Sequence, residues 1–393
     1  MSDDRTPVIL AARRTPIGRF MGGLSRVPAP ELGAIAISAA MQDAKLDQSA
    51  VEEVFMGCVL QAGVGQNPAR QAALKAGIHH DVTAVTVNKV CGSGLESVML
   101  AARAIKAGDL SVAIAGGMEN MDLAPHFMHV RNGVKYGPAT MHDHMAFDGL
   151  TCAFEQWPMG NAAEWIAGAH GVSREEQDRF SAESHQRAEA AWAKGFFEGE
   201  VVPLSAEQCK AKEGVSRDEG FRPGSSAEAL AKLRPAFTKD GCVTAGNASQ
   251  ISDGAAAVVV TSLAKAKELG ATPIATIVDY NTAGLPPKEL FFAPAVGIER
   301  LLKKHGLTVA DIDLFEINEA FAAQVLADIK HLGVPEDKLN VCGGGIALGH
   351  PIGASGARVL VTLLHQLART GGKTGICSLC LGGGNAVSML VRR

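Results

Sequence analysis

Residues 82–105 read Val82-Thr-Ala-Val-Thr-Val-Asn-Lys-Val-Cys-Gly-Ser-Gly-Leu-Glu-Ser-Val-Met-Leu-Ala-Ala-Arg-Ala-Ile105. The first six are rich in β-branched side chains and bounded by polar ones, which predicts a strand. Further on, Leu95, Val98, Met99, Ala102 and Ile105 recur at helical spacing. Between strand and helix stand Cys91, Gly92 and Gly94. Such a turn puts a side chain at the positive end of a helix, where a thiol with an ordinary pKa of about 8.5 is drawn toward thiolate. The glycines let backbone N–H groups approach a substrate oxygen. Standing alone, a stretch of this kind is more often a small buried cysteine in a glycine turn.

Outward from this stretch the alternation continues. Val8-Ile-Leu-Ala-Ala12 predicts a strand, and Pro30 to Ala44 a helix opened by proline. Val54-Phe-Met-Gly57 predicts a strand, Pro68 to Ala76 a helix, and Val112 to Gly117 a strand ending in glycines. The pattern points to an α/β protein with a parallel or mixed sheet covered by helices.

The C-terminal third repeats it. Leu46 to Gly57 aligns with Leu307 to Asn318, an offset of 307 − 46 = 261. The helix after Cys91 opens on a Ser-Gly ending at Gly94, and Ser355-Gly356 opens a similar apolar helix, an offset of 356 − 94 = 262. Two stretches in one order at nearly one offset predict a duplicated unit. Residues 1–120 with 251–273 form the expected first half, 274–393 the second, and 121–250 an insertion. In that insertion, Ser173-Arg-Glu-Glu176 is a capping box before a helix to about Lys194. His126, His129, His142 and His144 read as solvated loop histidines. No H-E-x-x-H pattern supports a metal, and none is expected.

Composition excludes several classes. Hydrophobic content of 47 % with 20 % charged residues suits a globular protein with a large core. No apolar run reaches the roughly 18 residues of a membrane span. The start, Met1-Ser-Asp-Asp-Arg5, carries neither a signal-peptide nor a transit pattern, so a cytoplasmic location is expected. Net charge is −4 without a basic tract, which argues against nucleic acid as a partner. Eight cysteines follow no secreted framework and are expected to be reduced. Cys377 and Cys380 form a C-x-x-C inside an apolar run that predicts a buried strand, not a redox or zinc site.

Three more stretches carry chemistry. Asn318-Glu-Ala-Phe321 follows an apolar strand, so an amide stands at a strand end. Residues 343–356 form a glycine-rich loop with His350 in the middle, and lack the Lys-Ser/Thr ending of a Walker loop. Cys380-Leu-Gly-Gly-Gly384 places a second thiol before three glycines. A nucleophilic thiol needs a base, for which His350 is the candidate, and an oxyanion needs donors such as Asn318 and glycine-flanked amides. A second thiol has no place in simple hydrolysis. It suits a second substrate that must lose or gain a proton, which points to carbon–carbon bond formation or cleavage at a thioester.

From about Pro7 to the C-terminus the chain resembles the thiolase family. The resemblance rests on V-C-G-S-G around Cys91, N-E-A-F at 318–321, G-H-P-I-G-A-S-G-A-R at 349–358 and C-L-G-G-G from Cys380. It implies a thiolase fold, two duplicated β/α halves in stacked αβαβα layers, with 121–250 as a loop domain for CoA binding and oligomer contacts. It implies an acetyl-CoA C-acetyltransferase type of acyltransferase, with CoA and acyl-CoA as substrates, no covalently bound cofactor, and a homodimer or homotetramer. Cys91 is then the acylated nucleophile, His350 its activator and Asn318 the anchor of a water in one oxyanion hole. The N–H groups of Cys91 and Gly382 form a second hole, and Cys380 removes the proton from acetyl-CoA. CoA contacts map onto Leu150, Met159, Arg222, Phe237, Ala245, Ser249, Ala320 and Phe321. Many short-chain relatives carry histidine where this chain has Pro158, which leaves a thiolase for longer or branched 3-ketoacyl chains as an alternative. Phe291 is expected to border the acyl pocket. A decarboxylating condensing enzyme is disfavoured by Cys380, and a non-catalytic acyl-CoA-binding protein by Cys91, His350 and Cys380 together.

Overall fold

The computed structural model describes residues 3–393. Its main strands are β1 (Pro7–Arg14), β2 (Glu53–Gly57), β3 (Thr83–Val87), β4 (Val112–Asn120) and β5 (Ser252–Ser262), then β6 (Ala275–Gly284), β7 (Leu314–Ile317), β8 (Thr374–Leu381) and β9 (Asn385–Arg392). They lie side by side in the order β7-β8-β9-β6-β1-β5-β4-β2-β3. The order is two copies of one pattern. In each copy a parallel pair (β2/β4, β7/β8) is followed by two antiparallel neighbours (β5 and β1, β9 and β6). Within the sheet, among the described residues, the copies pair at Val8 with Thr276 and Ile9 with Ala275. The first copy alone adds the edge strand β3. At the matching offset the second has a one-turn helix, Gly345–Leu348, where glycine and alanine replace the β-branched residues of β3.

The helices that make layers are α1 (Ala29–Asp43), α2 (Pro68–Lys75), α3 (Ser93–Ala107), α4 (Met159–Ala169), α5 (Arg174–Ala193), α6 (Ala293–His305), α7 (Ala322–Leu332) and α8 (Ser355–Thr370). Leu32 and Ile37 of α1 and Ala69 and Ala72 of α2 bury against Val54, Met56, Ile114 and Val259 on the outer face of the first copy. Ile166 of α4, Ile298 of α6 and Val325 of α7 do the same against Phe315, Ile317 and Ile376 on the outer face of the second. Between the sheets lie α3 and α8, with Leu95, Val98, Val359 and Leu363 packed on Val258, Val260, Leu379 and Met389. The layers are therefore αβαβα. The hydrophobic periodicity of α3 and α8 is filled on nearly all sides because both helices are sandwiched.

The two middle helices start at Ser93 and Ser355, an offset of 355 − 93 = 262, and meet at their first turns. A Cβ on Gly94 would stand 2.7 Å from the backbone nitrogen of Ala357, and one on Gly356 2.3 Å from that of Leu95. Backbone faces backbone in both directions, so neither side can yield by a rotamer change. Gly356→Ala is expected to lower stability by ~3 kcal/mol, the upper part of the range for overpacking. Chemical denaturation checks this, and an unchanged midpoint overturns it.

The capping box expected at residue 173 is present: the Glu176 N–H donates to Ser173 Oγ at 3.1 Å and the Ser173 N–H to Glu176 Oε2 at 2.8 Å. Among the loop histidines, His129 and His142 pack around the Phe127 ring. His144 Nε2 accepts the Ala62 N–H at 3.3 Å, so its Nδ1–H donates to Asp148 at 2.6 Å. No helix among the described residues is long and apolar enough to cross a membrane.

Candidate active site

The turn that enters α3 is held in an unfavourable shape. Val90 has φ +48°, a left-handed conformation that a β-branched residue rarely adopts. Local bonds hold it there. The Val90 N–H donates to Asn88 Oδ1 at 3.1 Å, the Lys89 N–H to Ser93 Oγ at 2.8 Å, and the Ser93 hydroxyl to the Val90 carbonyl at 2.6 Å. The next residue, Cys91, is thereby placed on the wall of a cavity of about 720 Å³. Cys380 and Gly382, at and beyond the end of β8, line the same cavity, as does His350 from the loop before α8.

Electrostatics differ from the sequence expectation for Cys91. Burial pushes its thiol up to about 12. The N–H groups of Cys91 and Gly382 act in the opposite direction and are outweighed, while the nearby Glu119 carboxylate adds to the rise. Burial, helped by the Arg358 charge, holds His350 down to about 3. The resting pair is thus a neutral thiol and a neutral imidazole, and not a preformed ion pair. Burial also raises Cys380 well above the ordinary thiol range, with Cys91 the next contributor, so the two sulfurs lie near enough to interact.

The imidazole tautomer follows from its partners. The Ser355 hydroxyl donates to the Pro351 carbonyl at 2.9 Å, so the 2.6 Å contact of Ser355 Oγ with His350 Nδ1 is an Nδ1–H donating to oxygen. Nε2 is then the unprotonated nitrogen, as a general base requires. Asn318 is fully buried and is not among the residues that line the cavity; its Nδ2 sits 3.4 Å from His350 Nε2.

All eight positions assigned to CoA contact line this one cavity. Leu150 and Met159 are tied by the Met159 N–H donating to the Leu150 carbonyl at 2.9 Å. Ser249 donates its N–H to the Ala320 carbonyl at 3.0 Å, which sets Ala245, Ser249 and Ala320 along one wall. The Phe237 ring lies where Gly160 has no side chain and meets Phe321 edge-on, with centroids 6.3 Å apart. Phe321 meets Phe291 the same way at 5.3 Å, and Phe291 is on the cavity wall as expected. Its neighbour Phe292 stacks instead on His170. Arg222 is exposed at the cavity, and among the described residues its side chain has no hydrogen-bond or ion partner.

Sequence reading missed Arg19 and Phe20, which line the cavity from an extension of the first copy, and Ser355. Arg19 gave no signal, being a lone arginine in a glycine-flanked loop. Ser355 did: a hydroxyl five residues after His350 at a helix start can reach back to the ring. The C-x-x-C splits across β8, because residues three apart on a strand face opposite ways. Cys377 packs into the middle layer and Cys380 into the outer one beside the cavity.

The thiolase N-terminal domain family matches residues 7–264, and the thiolase C-terminal domain family residues 271–393. The chain is 51 % identical over 388 residues to an acetyl-CoA acetyltransferase of Cupriavidus necator, covering 98 % of this chain and 99 % of that one. It is also 51 % identical over 388 residues to a probable acetyl-CoA acyltransferase of Staphylococcus aureus, covering 98 % of each. The crystal structure of the Bacillus anthracis acetyl-CoA acetyltransferase superposes with a TM-score of 0.96 at 41 % identity, over 98 % of both chains. With both domain families spanning nearly its whole length, on a doubled αβαβα frame whose two copies bring a cysteine each to one cavity, the chain belongs to the thiolase family.

Proposed function

We propose that this chain acts as an acetyl-CoA C-acetyltransferase, joining two acetyl-CoA to acetoacetyl-CoA and CoA and running the reverse thiolysis. The observation that carries this reading is that Cys91, Cys380, His350 and Gly382 line one cavity, where the N–H groups of Cys91 and Gly382 favour negative charge at the Cys91 sulfur. The names of the relatives support the same substrate.

In the proposed sequence, Cys91 Sγ attacks the thioester carbonyl while its proton passes to His350 Nε2. The carbonyl oxygen gains negative charge and accepts the Cys91 and Gly382 N–H groups. The carbon–sulfur bond to CoA breaks, and the leaving sulfur takes the Cys380 proton. Cys380 thiolate then faces the His350 imidazolium, which balances charge inside the cavity. A second acetyl-CoA gives a methyl proton to Cys380, and the carbanion attacks acetyl-Cys91. The new carbon–carbon bond forms, Cys91 sulfur leaves, and it recovers its proton from His350. Asn318, against the imidazole, orients the group that bears the second thioester oxygen. Arg222 and Arg19 supply free positive charge for the phosphates of CoA, while Leu150, Met159, Phe237, Ala245, Ser249, Ala320 and Phe321 wall its pantetheine.

The same reading assigns residues 1–120 with 251–273 and residues 274–393 to the catalytic halves, and 121–250 to the loop domain. Fatty acid metabolism is the setting proposed, and a homodimer or homotetramer in the cytoplasm the working form. Eight free thiols suit a reducing compartment. Met128, Val130, Val134, Tyr136 and Met141 are exposed within one segment of the loop domain, which a second copy would cover.

Rates of thiolysis for straight C4, C6 and C8 and for 2-methyl 3-ketoacyl-CoAs test the substrate. The C4 compound is expected to be fastest, because Phe291 and Phe321 close the cavity beside Cys380. A rate that climbs with chain length overturns the choice in favour of a thiolase for longer chains.

A further inference from the structure

The carboxyl of Glu119 is fully buried at the end of β4, and among the described residues no cation pairs with it. Burial raises it to about 7. An isolated buried carboxylate is costly, and its partners show what it is held for. Oε2 accepts the Val59 N–H at 3.0 Å and the Gly353 N–H at 2.9 Å. Oε1 accepts the Leu60 N–H at 3.2 Å and the Cys58 thiol at 3.7 Å. Three of these donors belong to the loop after β2 in the first copy. The fourth lies three residues beyond His350 in the second.

The duplication supplies an internal control. At the offset of the two middle helices, Glu119 corresponds to Leu381 (381 − 119 = 262), and Gly353 corresponds to Cys91 (353 − 91 = 262). The Leu381 side chain lies against Gly92, next to Cys91, as Glu119 lies against Gly353. Leu381 is an apolar residue that is 2 % exposed. The frame is therefore satisfied by an apolar side chain at this place, and the carboxylate in the first copy answers another need. A Cβ on Gly353 would stand 2.7 Å from Glu119 Oε2, so the glycine is what admits the bond.

We propose that Glu119 is a positioning residue for the acyl transfer, one carboxylate that ties the His350 loop of the second copy to the Cys58–Leu60 loop of the first and so sets the base against the nucleophile. Val59, Leu60 and Ile352 form a single cluster against which Cys91 and Leu150 pack. Loosening the carboxylate loosens the floor under Cys91 and the loop that carries His350 together. The inference rests on the activity proposed above.

Glu119→Gln tests it, because the amide keeps the size and one acceptor but turns a second acceptor into a donor facing N–H groups. The expected result is a kcat for acetoacetyl-CoA thiolysis lower by about 10²-fold, the size of effect that a small misplacement of a catalytic group produces. KM for CoA is expected to stay within threefold, since of the eight positions assigned to CoA contact only Leu150 packs on the cluster of Val59, Leu60 and Ile352. Glu119→Asp keeps the charge and both acceptors and is expected to recover part of the kcat. A packing role alone predicts a lower melting temperature with wild-type kcat per folded molecule in both variants, and that result overturns the proposal. If the Gln variant does not fold, the Asp variant decides: its shorter stem lowers kcat at constant KM if Glu119 positions the loops, and leaves kcat unchanged if it does not. Wild-type turnover measured alongside tests the activity separately, so a failure of the proposed reaction is not mistaken for a failure of Glu119.

Discussion

Cys91→Ala is expected to abolish both directions of the reaction, with kcat lower by ~10⁴-fold or more, as for loss of a nucleophile elsewhere. Incubated with acetyl-CoA, the wild-type chain is expected to gain one acetyl group, located on Cys91 by peptide mass, and the variant none. The reason is specific to this turn. The thiol is neutral at rest because burial outweighs the two N–H groups that favour its charge. Those donors become worth more once the charge sits on an oxygen in their place, so they favour the transition state over the ground state. Active wild-type protein without acetyl on Cys91 overturns the assignment.

Cys380→Ser is expected to separate the half-reactions. Acetyl still loads onto Cys91, because CoA can leave as the thiolate without the Cys380 proton, but condensation falls by ~10³-fold, within the span for loss of a general acid–base group. Serine is a far weaker acid than a thiol, so once Cys91 is acetylated the variant has no base to take the methyl proton of the second acetyl-CoA. Condensation at the wild-type rate in Cys380→Ser removes Cys380 from the carbon–carbon step.

Local sequence carried most of the frame. The β-branched run at 82–87 and the 3.6-residue rhythm after Cys91 became β3 and α3, and the offset of 261 to 262 became two superposable strand orders. These signals are legible because each is written in neighbours a few residues apart. β4 runs to Asn120, past the glycines at 116 and 117 where the sequence suggests its end: Ala256 and Ala257 of β5 leave room only for glycine at 116, and Gly353 and Ala354 only for glycine at 117. That extension is what places Glu119. The ionisation of Cys91 was misjudged for a related reason: helix position can be read from sequence, whereas desolvation depends on everything that packs around the sulfur. Arg19 reaches the cavity from more than two hundred residues away from its neighbour Arg222 (222 − 19 = 203), and no local pattern announces such a meeting.

The way β1 is paired has a consequence for biosynthesis. Pro7 pairs with Ser262, so the first strand to be made waits for a partner 262 − 7 = 255 residues later. At translation rates of about 5–20 residues per second, the wait is on the order of ten to fifty seconds. Throughout it, Val8, Ile9 and Leu10, all buried in the finished protein, are left without their sheet. Unpaired strand edges and exposed apolar side chains of this kind make an incomplete chain prone to aggregate. The stretch at 121–250, which separates β1 from β5 within one copy, makes β1 the strand longest at risk of pairing with the wrong chain.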